Sequence, residues 1–491
     1  MPYGAGAASS PLPYDLWRGV DAAGLEALLK GAPLPSPSPV LADLMARALA
    51  TGDADSADEA MVRAQALRQA GRIDEALALL QRATQGGPAN LLGTYALTLL
   101  ASGRADQACE VNLGDALPSG NDGTFAKEAL LVPVYCGATS GDLAGARLAL
   151  QLARDNGADV GIAAAVLAQR RPSVPRQVGL MDYLFLSLGK QRPEADLAAK
   201  AEPELLFFLA RDGTAPAELR AAAAERAAAL NIISGEELAR AYRETAKALP
   251  KSAQAPSALR AKLFASFENA PSVKIRAESI MALLASARDQ GIEAAIAEAL
   301  AQASAKLMQD PQAASFAETG IRVAALAGDE ENAWAWIDAG GERLKNFELL
   351  LAATDPLGSQ AETALAHGVE LAHSGALPAP LLHRLVTVLD ALDYNVPIPL
   401  WDEANKTPQP DEGELPPTGA LTRLKEAADA GEIGRTIFLV AAVLGRQGPK
   451  GAHLIALSDS IRALKRVGLD AEARRLGFEA LYAHWPWRGK V

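Results

Sequence analysis

Small and apolar residues recur every three or four positions through most of this chain, which is the period of an amphipathic α-helix. The clearest example is the stretch from Asp58 to Pro88. Gly71 divides this stretch in two, because a helix end commonly needs the positive φ that glycine adopts without strain. Pro88 ends the second half, since proline cannot continue a helix interior. The pattern predicts two short antiparallel helices, with apolar stripes formed by Ala64, Leu67 and Ala70, and then by Ile73, Ala76, Leu77, Leu80 and Ala83.

A turn glycine followed five residues later by a packing alanine marks further predicted hairpins. Alanine suits this position because a close helix crossing leaves no room for a larger side chain. Unrelated helical hairpins are the alternative interpretation, and they also predict stacked helices. The marker recurs at Gly103/Ala108, Gly141/Ala146, Gly328/Ala333 and Gly468/Ala473.

The Asp58–Pro88 unit resembles a tetratricopeptide repeat, a helix-turn-helix motif of about 34 residues. It departs from that family at its start, where Ala60 replaces the preferred tryptophan and Arg63 the preferred leucine. The resemblance implies an all-α fold, a right-handed α-solenoid of antiparallel helix hairpins. The matching positions are the small residues Ala64, Gly71, Ala76 and Ala83, the larger Leu67 and Leu80, and the terminal Pro88.

The order of helices, prolines and loops predicts five regions. Residues 1–55 hold an N-terminal tail, capping helices and a Pro-rich connector, and residues 56–195 hold the tetratricopeptide-like repeats. An irregular helical-repeat region (196–395) and a Pro-rich loop (396–419) follow, and helical hairpins with an aromatic cap (420–491) complete the chain. Since terminal repeats must cover an open apolar face, we expect Trp17 to cover one end and Trp485 and Trp487 the other. Residues 1–16 are expected to be flexible.

Composition narrows the classes of protein that fit. The chain has 491 residues, of which 49% are hydrophobic but only 5% aromatic, and β-branched alternation is scarce, so almost no sheet is expected. The net charge is −12 and basic residues form no block, which argues against nucleic-acid binding. No apolar run reaches the length of a transmembrane helix.

The two cysteines, Cys109 and Cys136, fall in the second helix of one predicted unit and the first helix of the next. These helices touch in tetratricopeptide-like stacking, so a disulfide is expected, with two reduced core cysteines as the alternative. A disulfide implies an oxidising compartment. The first residues lack a signal peptide and look like the start of a mature exported protein. We therefore expect a periplasmic location, with a cytoplasmic one as the alternative.

Catalytic motifs for phosphate binding, zinc proteolysis or serine hydrolysis are not found in the sequence. The sequence predicts no catalytic residue, metal or cofactor. It favours a non-catalytic scaffold or assembly factor that binds another protein or peptide, within a bacterial cell-envelope complex. The chain also resembles uncharacterised exported helical-repeat proteins of Gram-negative bacteria. Candidate partner anchors are the tryptophans Trp334, Trp336, Trp401, Trp485 and Trp487.

Two alternatives stay open at this point. The first is a peptidoglycan-acting enzyme accessory, because the alanine-rich helices are similar to the superhelical part of lytic transglycosylases. Those enzymes use a glutamate in an ES-containing motif, and the single ES here is Glu278-Ser279. The second is a cytoplasmic chaperone-like or regulatory repeat protein. The binding face and the oligomeric state are not predicted.

Overall fold

The computed structural model describes residues 9–84, 90–113, 124–191, 196–310, 312–352 and 361–487. Within these ranges the chain is all-α, without strands. The first half contains α1 (Ala22–Gly31), α2 (Pro39–Ala50), α3 (Ala57–Gln69), α4 (Ile73–Ala83), α5 (Asn90–Ala101), α6 (Ala105–Glu110), α7 (Thr124–Ala129), α8 (Leu131–Ser140), α9 (Leu143–Asp155), α10 (Gly161–Leu167), α11 (Leu180–Leu188), α12 (Leu197–Lys200), α13 (Pro203–Arg211), α14 (Ala217–Ala229) and α15 (Gly235–Ala248).

The second half continues in the same way. It contains α16 (Pro256–Glu268), α17 (Val273–Ala287), α18 (Glu293–Leu307), α19 (Ala317–Ala327), α20 (Glu330–Gly340), α21 (Asn346–Ala352), α22 (Ala361–His373), α23 (Ala379–Ala391), α24 (Ile398–Asn405), α25 (Ala420–Asp429), α26 (Ile433–Leu444), α27 (Leu454–Arg466) and α28 (Asp470–Tyr482). Most helices pack against the next helix in sequence. Buried apolar residues form one core that runs from Leu16 to Trp485.

The glycine–alanine markers lie at helix-to-helix turns. The five glycines have φ between 72° and 86°, in the left-handed region that favours glycine. The five alanines that follow them are at most 1% exposed. Ala64, Leu67 and Leu80 are fully buried, Ala83 is half-buried, and Pro88 lies outside the described residues. The glycines are Gly71, Gly103, Gly141, Gly328 and Gly468, and the alanines are Ala76, Ala108, Ala146, Ala333 and Ala473.

Two further turns have the same geometry but lack the alanine. Gly431 (φ 71°) joins α25 to α26, and Thr436 is the buried residue five positions on. Gly291 (φ 70°) precedes α18, and Ile296 takes the buried position. The sequence marker missed both turns because it required alanine, whereas these crossings accommodate a β-branched side chain.

The N-terminal segment packs against the C-terminal helices. Trp17 is 5% exposed and lies 5.7 Å, between ring centroids, from Phe438 of α26. A Cβ atom at Gly434 would come within 3.0 Å of the Trp17 ring, so the glycine makes room for it. The indole N–H donates to the Ala48 carbonyl at 2.8 Å. The expectation that Trp17 covers an open end is wrong, because C-terminal helices already cover that face.

The segment before Trp17 is also held in place. The Ser10 amide donates to Glu472 of α28 at 3.0 Å, and Arg47 donates to the Ser10 carbonyl at 3.0 Å. Leu16 is 8% exposed. The prediction of a flexible tail is therefore wrong for residues 9–16, and residues 1–8 lie outside the described ranges.

The last helix, α28, joins the two ends of the chain. Its Glu472 accepts a hydrogen bond from Arg47 of α2 at 2.6 Å. Its Glu479 accepts from the Ser38 hydroxyl at 2.6 Å and from the Val40 amide at 2.9 Å, which places a carboxyl group at the N-terminus of α2. On another side, the Tyr482 hydroxyl donates to Glu293 of α18 at 3.0 Å. One helix thus contacts the first, middle and last parts of the fold.

The residues after α28 pack inward rather than forming a cap on an open end. Trp485 is 4% exposed. Trp487 stacks on Phe347 of α21, with ring centroids 4.9 Å apart, and also contacts Tyr482. The predicted aromatic cap is corrected accordingly, since these rings fill the space between α21 and α28.

The Pro-rich segment 396–419 is not entirely a loop. Residues Ile398–Asn405 form α24, and residues 406–419 follow it without a helix. Pro397 is the N-cap of α24 and Pro399 lies in its first turn. Proline is tolerated there because the first helical N–H groups have no partner within the helix. The loop predicted from the number of prolines is therefore longer than the loop in the structure.

Cys109 of α6 and Cys136 of α8 form a disulfide, with Cα atoms 5.5 Å apart. The bond joins residues 27 positions apart. On the chain-entropy account, a loop of this length stabilises the fold by roughly 3–4 kcal/mol. Within the described ranges, none of the helices is long and apolar enough to cross a membrane.

We predict that Trp17→Ala lowers the free energy of unfolding by about 3–5 kcal/mol, because it removes a buried indole from the junction of the chain ends. Denaturant unfolding followed by circular dichroism measures the loss, and hydrogen exchange should rise first in α1 and α26. Tyr14→Ala is the control, since Tyr14 is 68% exposed. Equal losses of unfolding free energy for Trp17→Ala and Tyr14→Ala would contradict the role of Trp17 at the junction of the chain ends.

Candidate functional site

A large groove lies where the two ends of the chain meet. It has a volume of about 990 Å³ and is bounded by residues 13–31 on one side and residues 423–442 on the other. We call it the terminal groove. One wall is the turn before α1 together with α1 itself, and the other is α25 and α26. Its volume lies at the upper end of the range of about 300–1,000 Å³ that small-molecule pockets have, and a groove between two helical walls is also a shape that accepts a helix of another polypeptide.

The floor of the terminal groove is apolar. Val20 and Leu28 contribute from the α1 side, and Ile433 and Leu439 from α26; all four side chains are half-buried. Gly31 lies against Ala442, where an added Cβ would be 3.5 Å from the alanine methyl. Partly exposed aliphatic groups in a concave surface gain free energy when an apolar partner covers them.

Charged side chains line the rim. The α1 side carries Asp15, Arg18 and Asp21, and the facing side carries Arg423, Glu426, Glu432 and Arg435. Arg435 pairs with Glu432 at 2.9 Å. Among the described residues, no ion pair involves Arg18, Arg423 or Glu426. These groups are available to orient a charged or polar partner.

Local sequence explains how the walls form. Asp21 caps α1 by accepting a hydrogen bond from the Gly24 amide at 2.8 Å. Gly19 (φ 81°) turns the chain into that cap, and Gly431 (φ 71°) turns α25 into α26. Leu25 is the buried apolar residue of α1, whereas Leu28 is partly buried and also lines the groove.

None of the five predicted tryptophan anchors lines the terminal groove. Trp336 is 1% exposed and fills the space opposite Gly320, where an added Cβ would lie 2.2 Å from its ring. Trp336 and Trp485 are therefore core residues, and assigning them to partner binding was wrong. Trp334, Trp401 and Trp487 are half-buried.

The groove was missed because its residues look ordinary in the sequence. Val20, Leu28, Ile433 and Leu439 fit the helical period as core positions would. The apolar stripe on α1, formed by Leu25, Leu28 and Leu29, is as wide as one ordinary packing face, so the sequence carried no signal that distinguishes a groove wall from a core-facing helix. Without the position of α26, that stripe could not be assigned to a groove.

Buried carboxylates join helices elsewhere in the fold. Glu298 of α18 accepts from the Gly235 amide, at the start of α15, at 2.8 Å. Burial raises the pKa of Glu298 to about 7, and it raises the pKa of Glu479 to about 7 as well. Both groups bind helix N-terminal donors, which identifies them as structural links between distant helices.

Arg68 of α3 is the centre of a second buried cluster. Both oxygens of Glu204 accept from Arg68, at 2.8 and 2.9 Å, and Glu128 lies 3.6 Å away. Two carboxylates share one guanidinium here. Burial raises the pKa of each carboxyl above its ordinary value, and the charge of Arg68 opposes this shift in both. Repulsion adds to the raised pKa, from Glu202 on Glu128 and from Glu128 on Glu204. The cluster connects α3, α7 and α13.

A smaller cleft of about 360 Å³ adjoins His367 of α22. His367 Nδ1 lies 3.1 Å from Glu348, an arrangement that also occurs in hydrolases. Ser374, which lines the same cleft, donates to the Leu371 carbonyl at 3.0 Å. It follows His367 by seven residues, which is about 10 Å along a helix, so the two do not form a nucleophile–base pair.

Glu278, the glutamate of the ES pair, lies on the exposed surface of α17. Its side chain is 56% exposed and lies 4.0 Å from Lys274. A glycosidase general acid needs an apolar environment that raises its pKa. The location of Glu278 on a solvated helix face does not provide that environment.

Comparison of the chain with protein-family models, curated proteins and solved structures gave no significant match. The resemblance to tetratricopeptide repeats therefore depends on the residues of this chain alone.

We predict that Glu479→Gln reduces the pH dependence of stability. In the wild type the folded state holds the proton up to about pH 7, whereas an unfolded glutamate releases it near 4.5. The free energy of unfolding therefore falls as pH rises through this window. Glutamine retains an acceptor for the Val40 amide but does not ionise. As pH rises through this window, the free energy of unfolding of the variant should therefore increase relative to that of the wild type by roughly 1–3 kcal/mol.

Thermal unfolding at a series of pH values between pH 4.5 and pH 8 measures this difference. Glu236→Gln is the matched control, because Glu236 is 82% exposed and should leave the pH profile unchanged. A difference in the free energy of unfolding between Glu479→Gln and wild type that does not change with pH would contradict the assignment of Glu479 as a protonated link between α28 and α2.

Proposed function

We propose that this protein is a non-catalytic scaffold or assembly factor and that its terminal groove binds an amphipathic helix from a partner protein. The observation that supports this most directly is the groove itself, with an apolar floor between two helical walls and charges along its rim. A helix laid into such a groove buries its apolar face and leaves its polar face in water.

We further propose that the helices form a tetratricopeptide-like α-solenoid whose two ends meet. The five glycine–alanine turns support this, because each joins two antiparallel helices at a close crossing. The packing of α1 and α2 against α26 and α28 distinguishes this arrangement from an open solenoid. In our proposal, the junction of the ends supplies the binding groove that a concave face supplies in an open array.

We also propose a periplasmic location within a cell-envelope complex. The disulfide between Cys109 and Cys136 supports an oxidising compartment, since such bonds rarely persist in a reducing cytosol. The peptidoglycan-related and cytoplasmic alternatives stay predictions, to be distinguished by location and by activity on cell wall.

We predict that the purified protein selects helix-forming peptides with apolar residues at i and i+4 from a displayed peptide library. Ile433→Glu, which introduces a charge into the groove floor at the first turn of α26, should abolish binding of those peptides. Glutamate is compatible with a helix N-terminus, so the fold should be preserved. Binding is measured by fluorescence anisotropy with one selected peptide.

Ile398→Glu is the matched control, because Ile398 is 74% exposed on α24, outside the terminal groove. It should bind the selected peptide as the wild type does. Selected peptides that bind both variants equally, or a library that yields no binder, would argue against the groove as a recognition site.

We predict that protein isolated from its native cell contains oxidised Cys109 and Cys136. Intact mass after thiol alkylation should show no added alkyl groups until the protein is reduced, and two afterwards. Two free thiols before reduction would contradict the export proposal and favour a cytoplasmic scaffold.

A further inference from the structure

One stretch of this acidic chain carries arginines and no acids. The protein as a whole has 59 acidic residues and a net charge of −12. Between Asp159 and Asp182, however, the sequence contains no aspartate or glutamate. Arg170, Arg171 and Arg176 lie within this stretch, and the structure exposes all three side chains. The segment is therefore a local positive region on an otherwise negative protein.

The fold brings a fourth cation to the same region. Both α10 and α11 are followed by a residue with positive φ, Gln169 (55°) and Lys190 (51°). An added Cβ at Gly189 would lie 3.0 Å from the Val166 side chain, so the C-terminal ends of the two helices are adjacent. Lys190 is exposed and lies beside the residues that follow α10. We call residues 170–177 together with Lys190 the basic edge.

The cations of the basic edge are available to an outside group. Within the part of the chain that the structure describes, none of the four forms an ion pair. The acids that bound the stretch lie at the other ends of α10 and α11, where Asp159 accepts from the Gly161 amide and Asp182 from the Gly179 amide. Since arginine binds a carboxylate through two parallel N–H donors, exposed arginines without a partner suit an acidic ligand.

The backbone of the basic edge follows an extended course. A residue before proline is restricted to extended conformations, and this segment contains Pro172 and Pro175. Residues 171–175 form no helix or turn. Their exposure alternates as in a strand, because Pro172 and Val174 are half-buried whereas Arg171 and the other two are exposed.

This extended backbone is open to pairing. Among the described residues, no hydrogen bond involves the backbone of residues 171–177. The next residue is already paired as in a sheet, since the Val178 amide donates to the Lys200 carbonyl at 3.0 Å. An unpaired extended edge is a template for an added strand.

We propose that an acidic segment of another protein docks on the basic edge in an extended conformation. Its carboxylates pair with the three arginines and Lys190, and its backbone pairs with the open groups of residues 171–177. A long polyanion such as nucleic acid needs a broad basic face, which a chain with a net charge of −12 does not offer, whereas a short acidic segment needs only a few cations. The basic edge is separate from the terminal groove and does not depend on the function proposed for it.

Fluorescence anisotropy with a labelled hexaglutamate peptide tests this proposal. The wild type should bind the peptide, more weakly as salt is added. The double variant Arg170→Glu/Arg171→Glu should weaken binding at least ~10-fold, because it removes two charge-assisted contacts. Arg240→Glu/Lys274→Glu is the matched control, since these side chains are 61% and 69% exposed elsewhere and the net charge changes equally. The control should bind as the wild type does.

Arg176→Glu separates lost binding from lost folding. This position precedes α11, where a glutamate is compatible with the helix N-terminus, so circular dichroism should match that of the wild type while hexaglutamate binding falls. Equal losses in the control and in the edge variants would show attraction by net charge alone and would overturn the proposal, as would a wild type that does not bind hexaglutamate at low salt.

Two further probes test the kind of partner. All-D hexaglutamate carries the same charges on a backbone of opposite handedness, so it should bind more weakly than the L peptide. Equal binding of the two would overturn docking as a strand. Tighter binding of single-stranded DNA or of anionic phospholipid vesicles than of hexaglutamate would overturn the assignment of an acidic protein segment.

Discussion

The contact of α28 with the start of the chain is the interaction on which the rest of the structure depends. Glu472 and Glu479 lie on one face of α28 and accept hydrogen bonds from the start of the chain. The donors are the side chains of Arg47 and Ser38 and the backbone amides of Ser10 and Val40. Tyr482 extends the same helix to α18. A helix held on several sides cannot shift without moving the helices from both ends of the chain.

The terminal groove is a product of that arrangement. Its two walls are more than 390 residues apart in sequence, and neither forms a concave surface alone. Trp17, seated against Gly434 and Phe438, fixes their separation. Changes in the α28 contacts should therefore alter the shape of the groove even though α28 does not line it. Recognition and the integrity of the fold are coupled through the same junction.

Local sequence patterns predicted the helices well because their causes are local. Gly71 ends a helix through its own φ, and Ala76 permits a close crossing through its own size. The prediction that Cys109 pairs with Cys136 needed one assumption, namely that the second helix of one hairpin touches the first helix of the next. In contrast, the Trp17–Phe438 contact joins residues that no periodicity relates, and it decides whether the ends are open or closed. Trp336 shows the same limit, since its burial depends on Gly320 in the preceding helix.

Closure of the chain has a consequence for its synthesis. Domains generally begin to fold from the N-terminus while the ribosome is still adding residues. Here α1 and α2 pack against the early helices α3 and α4 but also against α26 and α28, so part of their apolar surface stays uncovered until those late helices have been made. During that interval the nascent chain exposes a surface that the finished protein hides. A cell that makes this protein therefore has reason to shield that part of the N-terminal helices until α26 and α28 have been made.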